Sequence, residues 1–213
     1  MRFKPCRQEV VRGRPVDERT TTRDPEKASV LRSLVTWRPP GAPGRERQVA
    51  VVPDAGLSRL ITLSFPMWGA MGGAAMMGLG LALAQPKRRV LVVTGDGEML
   101  MGLGSLATIA PQRPGNLSIV VLDNERYGET GMQKSHTAYG VDLAGMASAA
   151  GFTHITRLTT MAGVARLANL VRRGAGPVFA QVKVSAEKPP LVLPPKDGAI
   201  LKARFRAPLS DGV

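Results

Sequence analysis

Two residues, Asp96 and Asn124, stand where this chain could do chemistry. Asp96 lies between Gly95 and Gly97 at the end of the apolar, β-branched run Val90–Thr94, and apolar residues at helical spacing follow it. That is the pattern of a buried parallel strand turning into a helix. Glycines at such a turn let the backbone pass close to a ligand. The helix behind it points free N–H groups and its positive dipole end at the same place, which suits an anion. Asp96 is itself anionic and would repel a bare phosphate unless a cation lay between the two. A carboxylate beside phosphate oxygens is a common way of holding Mg²⁺, so the turn reads as a magnesium diphosphate site.

The second residue depends on a second strand. Leu117–Leu122 is another apolar run, and it ends in Asp123-Asn124 followed by Glu125-Arg126-Tyr127-Gly128. Parallel strands joined by one crossover helix bring their carboxyl ends side by side, so Asn124 can offer its amide oxygen to the metal that Asp96 binds. An ordinary βαβ unit with a glycine turn and a strand-end Asx turn, or a nucleotide site, is the plainer alternative. GxGxxG is absent after this strand, which counts against the nucleotide site.

Other stretches supply the frame. Gln48–Val52 reads as the first core strand, with a turn at Pro53-Asp54-Ala55-Gly56. Met67–Ala84 carries no charge and has the length of a membrane span. Gly69, Gly72, Gly73, Gly78 and Gly80 make it a poor lipid-facing helix, and it is expected to be a buried helix packed closely on the sheet. Val141–Ala150 and Thr160–Arg173 read as amphipathic helices, the second with Gly174 as C-cap, and Val178–Val184 as a final buried strand. Ala28–Trp37 has the pattern of a short helix inside an otherwise irregular basic leader.

A GDG turn followed after about 25 to 30 residues by an Asn-bearing strand end resembles the motif of thiamine diphosphate-dependent enzymes. The preceding stretch FPMWGAMGGAAMMGLGLALAQPKRRVLVVTGDG strengthens the resemblance, which covers roughly Val49 to Arg206. The likeness is to the diphosphate-binding domain, of the kind found in the β subunit of sulfopyruvate and phosphonopyruvate decarboxylases. It implies an α/β fold, a three-layer sandwich with a mostly parallel central sheet. Its boundaries here are a leader over residues 1–47, the cofactor domain over 48–185 and a Pro-rich extended tail over 186–213.

The resemblance also implies roles. Mg²⁺ falls to Asp96, Asn124 and the backbone carbonyl of Arg126. Thiamine diphosphate falls to Gly69, Met71, Gly95, Asp96, Gly97, Glu98, Asn124, Tyr127, Gly128, Glu129 and Thr130. The Gly69 carbonyl would accept from the 4'-amino group, and Met71 would be the apolar wedge that bends the cofactor. Core packing is the bland alternative for Met71, since methionine fills gaps well. Gln133, Glu129 and His136 are the substrate-side candidates; Lys134 stands where the family pattern leads one to expect proline, and His154 reads as structural. A glutamate acting on the cofactor N1' atom is expected from a separate pyrimidine-domain subunit of α type. The chain alone is then inactive, and the assembly is a hetero-oligomer acting on a small 2-oxo acid. A sulfonate or phosphonate on that acid would need cations, for which Lys134 and Arg126 are candidates.

Composition sets the outer limits. With 213 residues and 44% apolar content the chain can bury one α/β core. Lys and Arg number 29 against 16 acidic residues, a net charge of +13, yet most of the excess lies before position 60 and after position 182. With 4% aromatic residues this favours a solvated Arg-rich surface over a nucleic-acid interface, and neither nucleic acid nor membrane is an expected partner. The single cysteine, Cys6, fits a reducing cytoplasm. Three functional readings stand at this point. They are a subunit of a thiamine-dependent 2-oxo acid decarboxylase, the same domain in an acetolactate synthase-type carboligase or 2-oxo acid oxidoreductase, and a non-catalytic binding module.

Overall fold

The computed structural model describes residues 48–52, 63–67, 70–128, 130–187 and 197–210. The leader with Cys6, the Ala28–Trp37 segment, the 53–56 turn, Gly69 and Glu129 lie outside the described residues.

Six strands form one sheet: β1 (Gln48–Val52), β2 (Ser64–Pro66), β3 (Arg89–Gly95), β4 (Leu117–Asp123), β7 (His154–Leu158) and β8 (Val178–Lys183). Their order is β2-β1-β3-β4-β8-β7, and every neighbouring pair is parallel. Parallel strands are buried on both faces, which is why β3 and β4 are unbroken apolar runs. The alternation of side chains then sorts them into two cores. Val90, Val92, Leu117, Ile119, Val121 and Phe179 face one side, where they meet helices α1 (Ala74–Ala84), α2 (Asp96–Met101), α3 (Ser105–Gln112) and α4 (Leu143–Ala150). Leu91, Val93, Val120, Leu122, Ala180 and Val182 face the other, against Val164, Leu167, Ala168 and Val171 of α5 (Met161–Arg173). Helix, sheet and helix make the three layers expected.

Strand order decides where a ligand can sit. The chain runs from β1 outward to β2, then returns past β1 to β3. The crevice outside the carboxyl ends of β1 and β3 is therefore a topological switch point, the usual ligand position in open parallel sheets. Gly95-Asp96-Gly97 lies at its rim.

Several elements differ from expectation. Met67–Ala84 is not one helix: β2 ends at Pro66, a turn follows at residues 71–72, and α1 begins only at Ala74. Nor is α1 wholly buried, since Met76, Met77 and Leu83 are exposed. The segment after Asp96 is two helices, α2 and α3, parted by residues 102–104. The helix expected from Val141 starts at Leu143, capped by Asp142, whose carboxylate accepts from the Gly145 N–H at 2.9 Å. The tail is not extended throughout, because residues 198–210 form α6 (Gly198–Ser210). Asp197 accepts from the Ala199 and Ile200 N–H groups at 2.8 and 3.1 Å and starts that helix, and Phe205 packs edge-on against Phe65 of β2 with ring centroids 5.3 Å apart. Gly174 does cap α5, and among the described residues no helix is long and apolar enough to cross a membrane.

The glycines of α1 separate into two kinds. A Cβ at Gly78 would lie 2.2 Å from Val92 Cγ2, so the helix rests directly on β3 there, whereas a Cβ at exposed Gly80 meets nothing within 4 Å. Replacing glycine by alanine in a helix gains about 1 kcal/mol, while overpacking a well-filled core costs about 1–3 kcal/mol. Val92 is β-branched and stiff, so the clash wins at Gly78. Gly78→Ala is expected to lower stability in denaturant unfolding and Gly80→Ala to raise it. Equal effects of the two would show that the helix is not seated on Val92.

Candidate active site at the ends of β3 and β4

The parallel register of β3 and β4 pairs Gly95 with Leu122, so Asp96 and Asn124 leave adjacent strands side by side. Asp96 is 1% exposed, and its Oδ1 accepts from the Asn124 N–H at 3.4 Å. Asn124 is also buried, and its Oδ1 accepts from the Arg126 N–H at 3.2 Å, closing an Asx turn and leaving one lone pair. The two predicted metal residues are thus adjacent, with the Asp96 carboxylate on the Asn124 backbone and the Asn124 carboxamide oxygen on the Arg126 backbone.

Neither GDG glycine takes the left-handed region. A Cβ at Gly95 would meet nothing within 4 Å among the described residues, and as N-cap of α2 it offers no side-chain cap to the first N–H groups of that helix. Gly97 matters for a different reason: a Cβ would lie 2.6 Å from two carbons of the Tyr127 ring. The ring sits on the glycine and seats the hairpin of β5 (Arg126–Tyr127) and β6 (Gln133–Lys134) on the turn. Glu98 is buried, and its Oε2 accepts from the Thr94 hydroxyl at 2.7 Å.

Polar residues not foreseen from the sequence hold this arrangement. The Ser135 hydroxyl donates to Asp96 Oδ2 in a short bond. The Thr137 hydroxyl lies 2.8 Å from Asp123 Oδ1 and 3.1 Å from Asp96 Oδ2, and with a single proton it serves one carboxylate at a time. Asp123 is fully buried, with Gln181 Nε2 at 2.6 Å and Lys183 Nζ at 3.0 Å from its Oδ2. Lys183 also reaches Glu125 Oε1 at 2.6 Å. Burial works against the Lys183 ammonium, but Glu125 and Asp123 outweigh it and hold its pKa above the usual lysine value. A signal for part of this network was present: Gln181 interrupts an otherwise apolar strand, and a buried polar side chain needs a partner.

The remaining candidates spread over the open side. Met71 is exposed, beside Gly72 at φ +84°, and Gly72 packs on the end of α2: a Cβ at Gly102 would lie 2.2 Å from the Gly72 carbonyl oxygen. Two glycines therefore bring the Met71 turn and α2 together. Gly128, Thr130, Gln133, Lys134 and His136 are exposed. The Thr130 hydroxyl donates to Gln133 Oε1 at 2.9 Å, and Lys134 Nζ stands 5.7 Å from the Tyr139 ring centre. His136 Nδ1 lies 3.0 Å from the Tyr127 hydroxyl, the two rings edge-on. His154 is exposed on edge strand β7, away from the hairpin.

With this geometry in place, residues 51–182 match the thiamine pyrophosphate enzyme, C-terminal TPP binding domain family, and the chain belongs to that family. It is 48% identical over 120 residues to the sulfopyruvate decarboxylase subunit beta of Methanothermobacter thermautotrophicus, covering 56% of this chain and 61% of that one. It is 46% identical over 122 residues to the phosphonopyruvate decarboxylase of Streptomyces viridochromogenes, covering 54% of this chain and 30% of that one. The chain thus spans less than two thirds of either relative. The crystal structure of benzoylformate decarboxylase from Polynucleobacter necessarius superposes with a TM-score of 0.58 at 19% identity, covering 76% of this chain and 33% of that one, a likeness of fold.

Burial pushes the Asp96 carboxyl above the usual value of 3.8; the hydroxyl bond from Ser135 opposes this, the charge of Asp123 adds to it, and Thr137 opposes it weakly. A carboxyl raised by folding stabilises the fold fully below its unfolded pKa. That contribution is lost as pH rises through the raised value. At neutral pH the metal-free chain therefore carries a cost that Asp96→Asn removes. In EDTA at neutral pH the variant is expected to melt above the parent, with the gap narrowing as pH falls. A parent that melts higher at neutral pH would refute the buried-charge account.

Proposed function

We propose that this chain is the thiamine diphosphate- and Mg²⁺-binding subunit of a 2-oxo acid decarboxylase of the sulfopyruvate or phosphonopyruvate type, completed by a separate pyrimidine-domain subunit. One observation carries the reading: Asp96 and Asn124 stand at neighbouring ends of β3 and β4, the Asp96 carboxylate bonded to the Asn124 backbone N–H at 3.4 Å, at the start of α2. The relatives named as decarboxylases support the reaction class.

The donor set fits the metal. Asp96, Asn124 Oδ1 and the Arg126 carbonyl are hard oxygen donors, and Mg²⁺ is usually held by one or two protein carboxylates with phosphate and water oxygens filling the rest. Among the described residues no group of three or more His, Cys, Asp or Glu side chains is placed to hold a metal ion, so phosphate oxygens have a part to play. The diphosphate is placed in this reading beside Gly95, where a Cβ would meet nothing within 4 Å among the described residues. Thiamine diphosphate, when bound, supplies the carbon nucleophile and electron sink that 2-oxo acid decarboxylation needs. The chain's own part is to clamp and orient. Met71, held by the Gly72–Gly102 contact, gives an apolar surface for the bent cofactor. The exposed residues Gln133 and Lys134 of the hairpin, with His136 just beyond it, are offered to the substrate. Roles for Gly69 at the cofactor and Glu129 at the substrate remain part of the proposal. Lys134 and Arg126 are the cations for a sulfonate or phosphonate. The glutamate for N1' comes from the partner subunit, and a cytoplasmic hetero-oligomer completes the proposal.

The test is calorimetry of the full chain with thiamine diphosphate and Mg²⁺, with and without the pyrimidine-domain subunit, followed by CO₂ release from sulfopyruvate, phosphonopyruvate and pyruvate. Asp96→Ala should weaken Mg²⁺-dependent cofactor binding by at least about 10- to 100-fold, the loss seen even when a group one step removed from a metal is changed. Cofactor affinity untouched by that change would overturn the metal assignment. Binding without decarboxylation by the assembled pair would make the chain a binding module.

A further inference from the structure

The turn that carries two of the three proposed metal donors is strained at its centre. Asn124 and Arg126 flank Glu125, whose φ of +60° lies in the left-handed region that side chains other than glycine rarely adopt. Such a conformation is unfavourable for a residue with a side chain and persists where the surroundings over-determine it. Here they do. The Glu125 N–H donates to Asp123 Oδ1 at 3.1 Å, its carbonyl accepts from the Ser135 N–H at 3.0 Å, and its carboxylate accepts from Lys183 Nζ at 2.6 Å. Lys183 stands in register beside Asp123 at the end of β8 and also bonds that carboxylate, at 3.0 Å. One ammonium therefore bridges the residue before the turn's first donor to the residue between its two donors.

We infer that Lys183 is a positioning residue for the metal turn: by tying Glu125 to Asp123 it holds residues 124–126 so that the Asn124 carboxamide and the Arg126 carbonyl face one point. The inference rests on the proposed metal site and adds to it a residue outside the proposed donor set, bonded to Asp123 and Glu125. Coulomb's law alone makes the opposite forecast, because removing a positive charge from beside a cation site should tighten metal binding. The sign of the effect therefore separates the two accounts.

The experiment measures Mn²⁺ affinity, by electron paramagnetic resonance of free Mn²⁺, on the full chain in the presence of thiamine diphosphate. Lys183→Met is expected to weaken Mn²⁺ binding about tenfold, within the range for groups that orient metal ligands, and Lys183→Arg to recover most of it. A folded Lys183→Met chain that binds Mn²⁺ as tightly as the parent, or more tightly, overturns the inference. Asp123 is buried and loses a counter-charge in that variant, so a second pair guards against misfolding. Glu125→Gln keeps an acceptor for Lys183, while Glu125→Gly removes it and suits the left-handed backbone. Both delete the same charge. Positioning requires the glycine variant to bind Mn²⁺ several-fold more weakly than the glutamine variant, with no loss of melting temperature; equal affinities overturn it. If the parent chain with thiamine diphosphate binds no Mn²⁺ and Asp96→Ala changes nothing, the metal-site reading itself fails and this inference falls with it.

Discussion

The site depends on keeping two carboxylates, Asp96 and Asp123, buried at the ends of adjacent parallel strands. Two like charges that share one hydroxyl neighbour repel in a protein-like effective dielectric, and each has also lost its water. The structure answers with hydrogen on every side. Thr137 stands between the two, Ser135 closes on Asp96, and Gln181 and Lys183 close on Asp123. The compensation is uneven: Asp123 has a full counter-charge in Lys183, while Asp96 has two hydroxyls and one backbone N–H. Among the described residues Asp96 is thus the carboxylate with no cation bonded to it. A divalent ion would supply what Asp96 lacks, and that asymmetry gives the metal reading a basis in this chain's own residues.

The fold makes such a pairing possible with few instructions. A parallel register with Val90 beside Leu117 brings Gly95 beside Leu122 without further adjustment, and the same register carries Asp123 to Lys183 on β8. The two cores hold the register, since a slip by one residue would move Val92 and Ile119 to the wrong face. The site's precision is therefore borrowed from the packing of apolar side chains several residues below it.

That division explains what was legible in the sequence. β3, β4 and the GDG turn could be read because unbroken β-branched runs and glycine punctuation are local signals. The start of α1 could not, because residues 67–84 are apolar almost throughout, and a run without polar residues carries no period to mark where β2 ends and a helix begins. Helix α6 was hidden by the prolines ahead of it, which spoke for extended chain, while its start depends on the Asp197 cap. Ser135, Thr137 and Lys183 were missed for a third reason. Their roles exist only after the chain has folded, when residues 39, 41 and 60 positions or so from their partners in sequence meet at one carboxylate or another. Gly97 reads from the sequence as a place of close approach to a ligand, and the close contact with the Tyr127 ring exists only in the fold.

The same geometry separates the groups that hold charge from those that could choose a substrate. Asp123, Asn124, Ser135, Thr137 and Gln181 are buried, and removing one leaves a buried partner unsatisfied, at a cost of about 1–3 kcal/mol or more. Gln133, Lys134 and His136 are exposed on or just beyond a two-residue-wide hairpin, and their contacts are to one another's neighbours: Thr130, Tyr139 and Tyr127. Substitutions there leave the carboxylate network intact. The hairpin is nonetheless tied to Asp96, because Tyr127 rests on Gly97 and Ser135, one residue beyond β6, bonds Asp96. Lys134 is therefore placed relative to that carboxylate through two contacts, while the exposed side chains of the hairpin can change without breaking either.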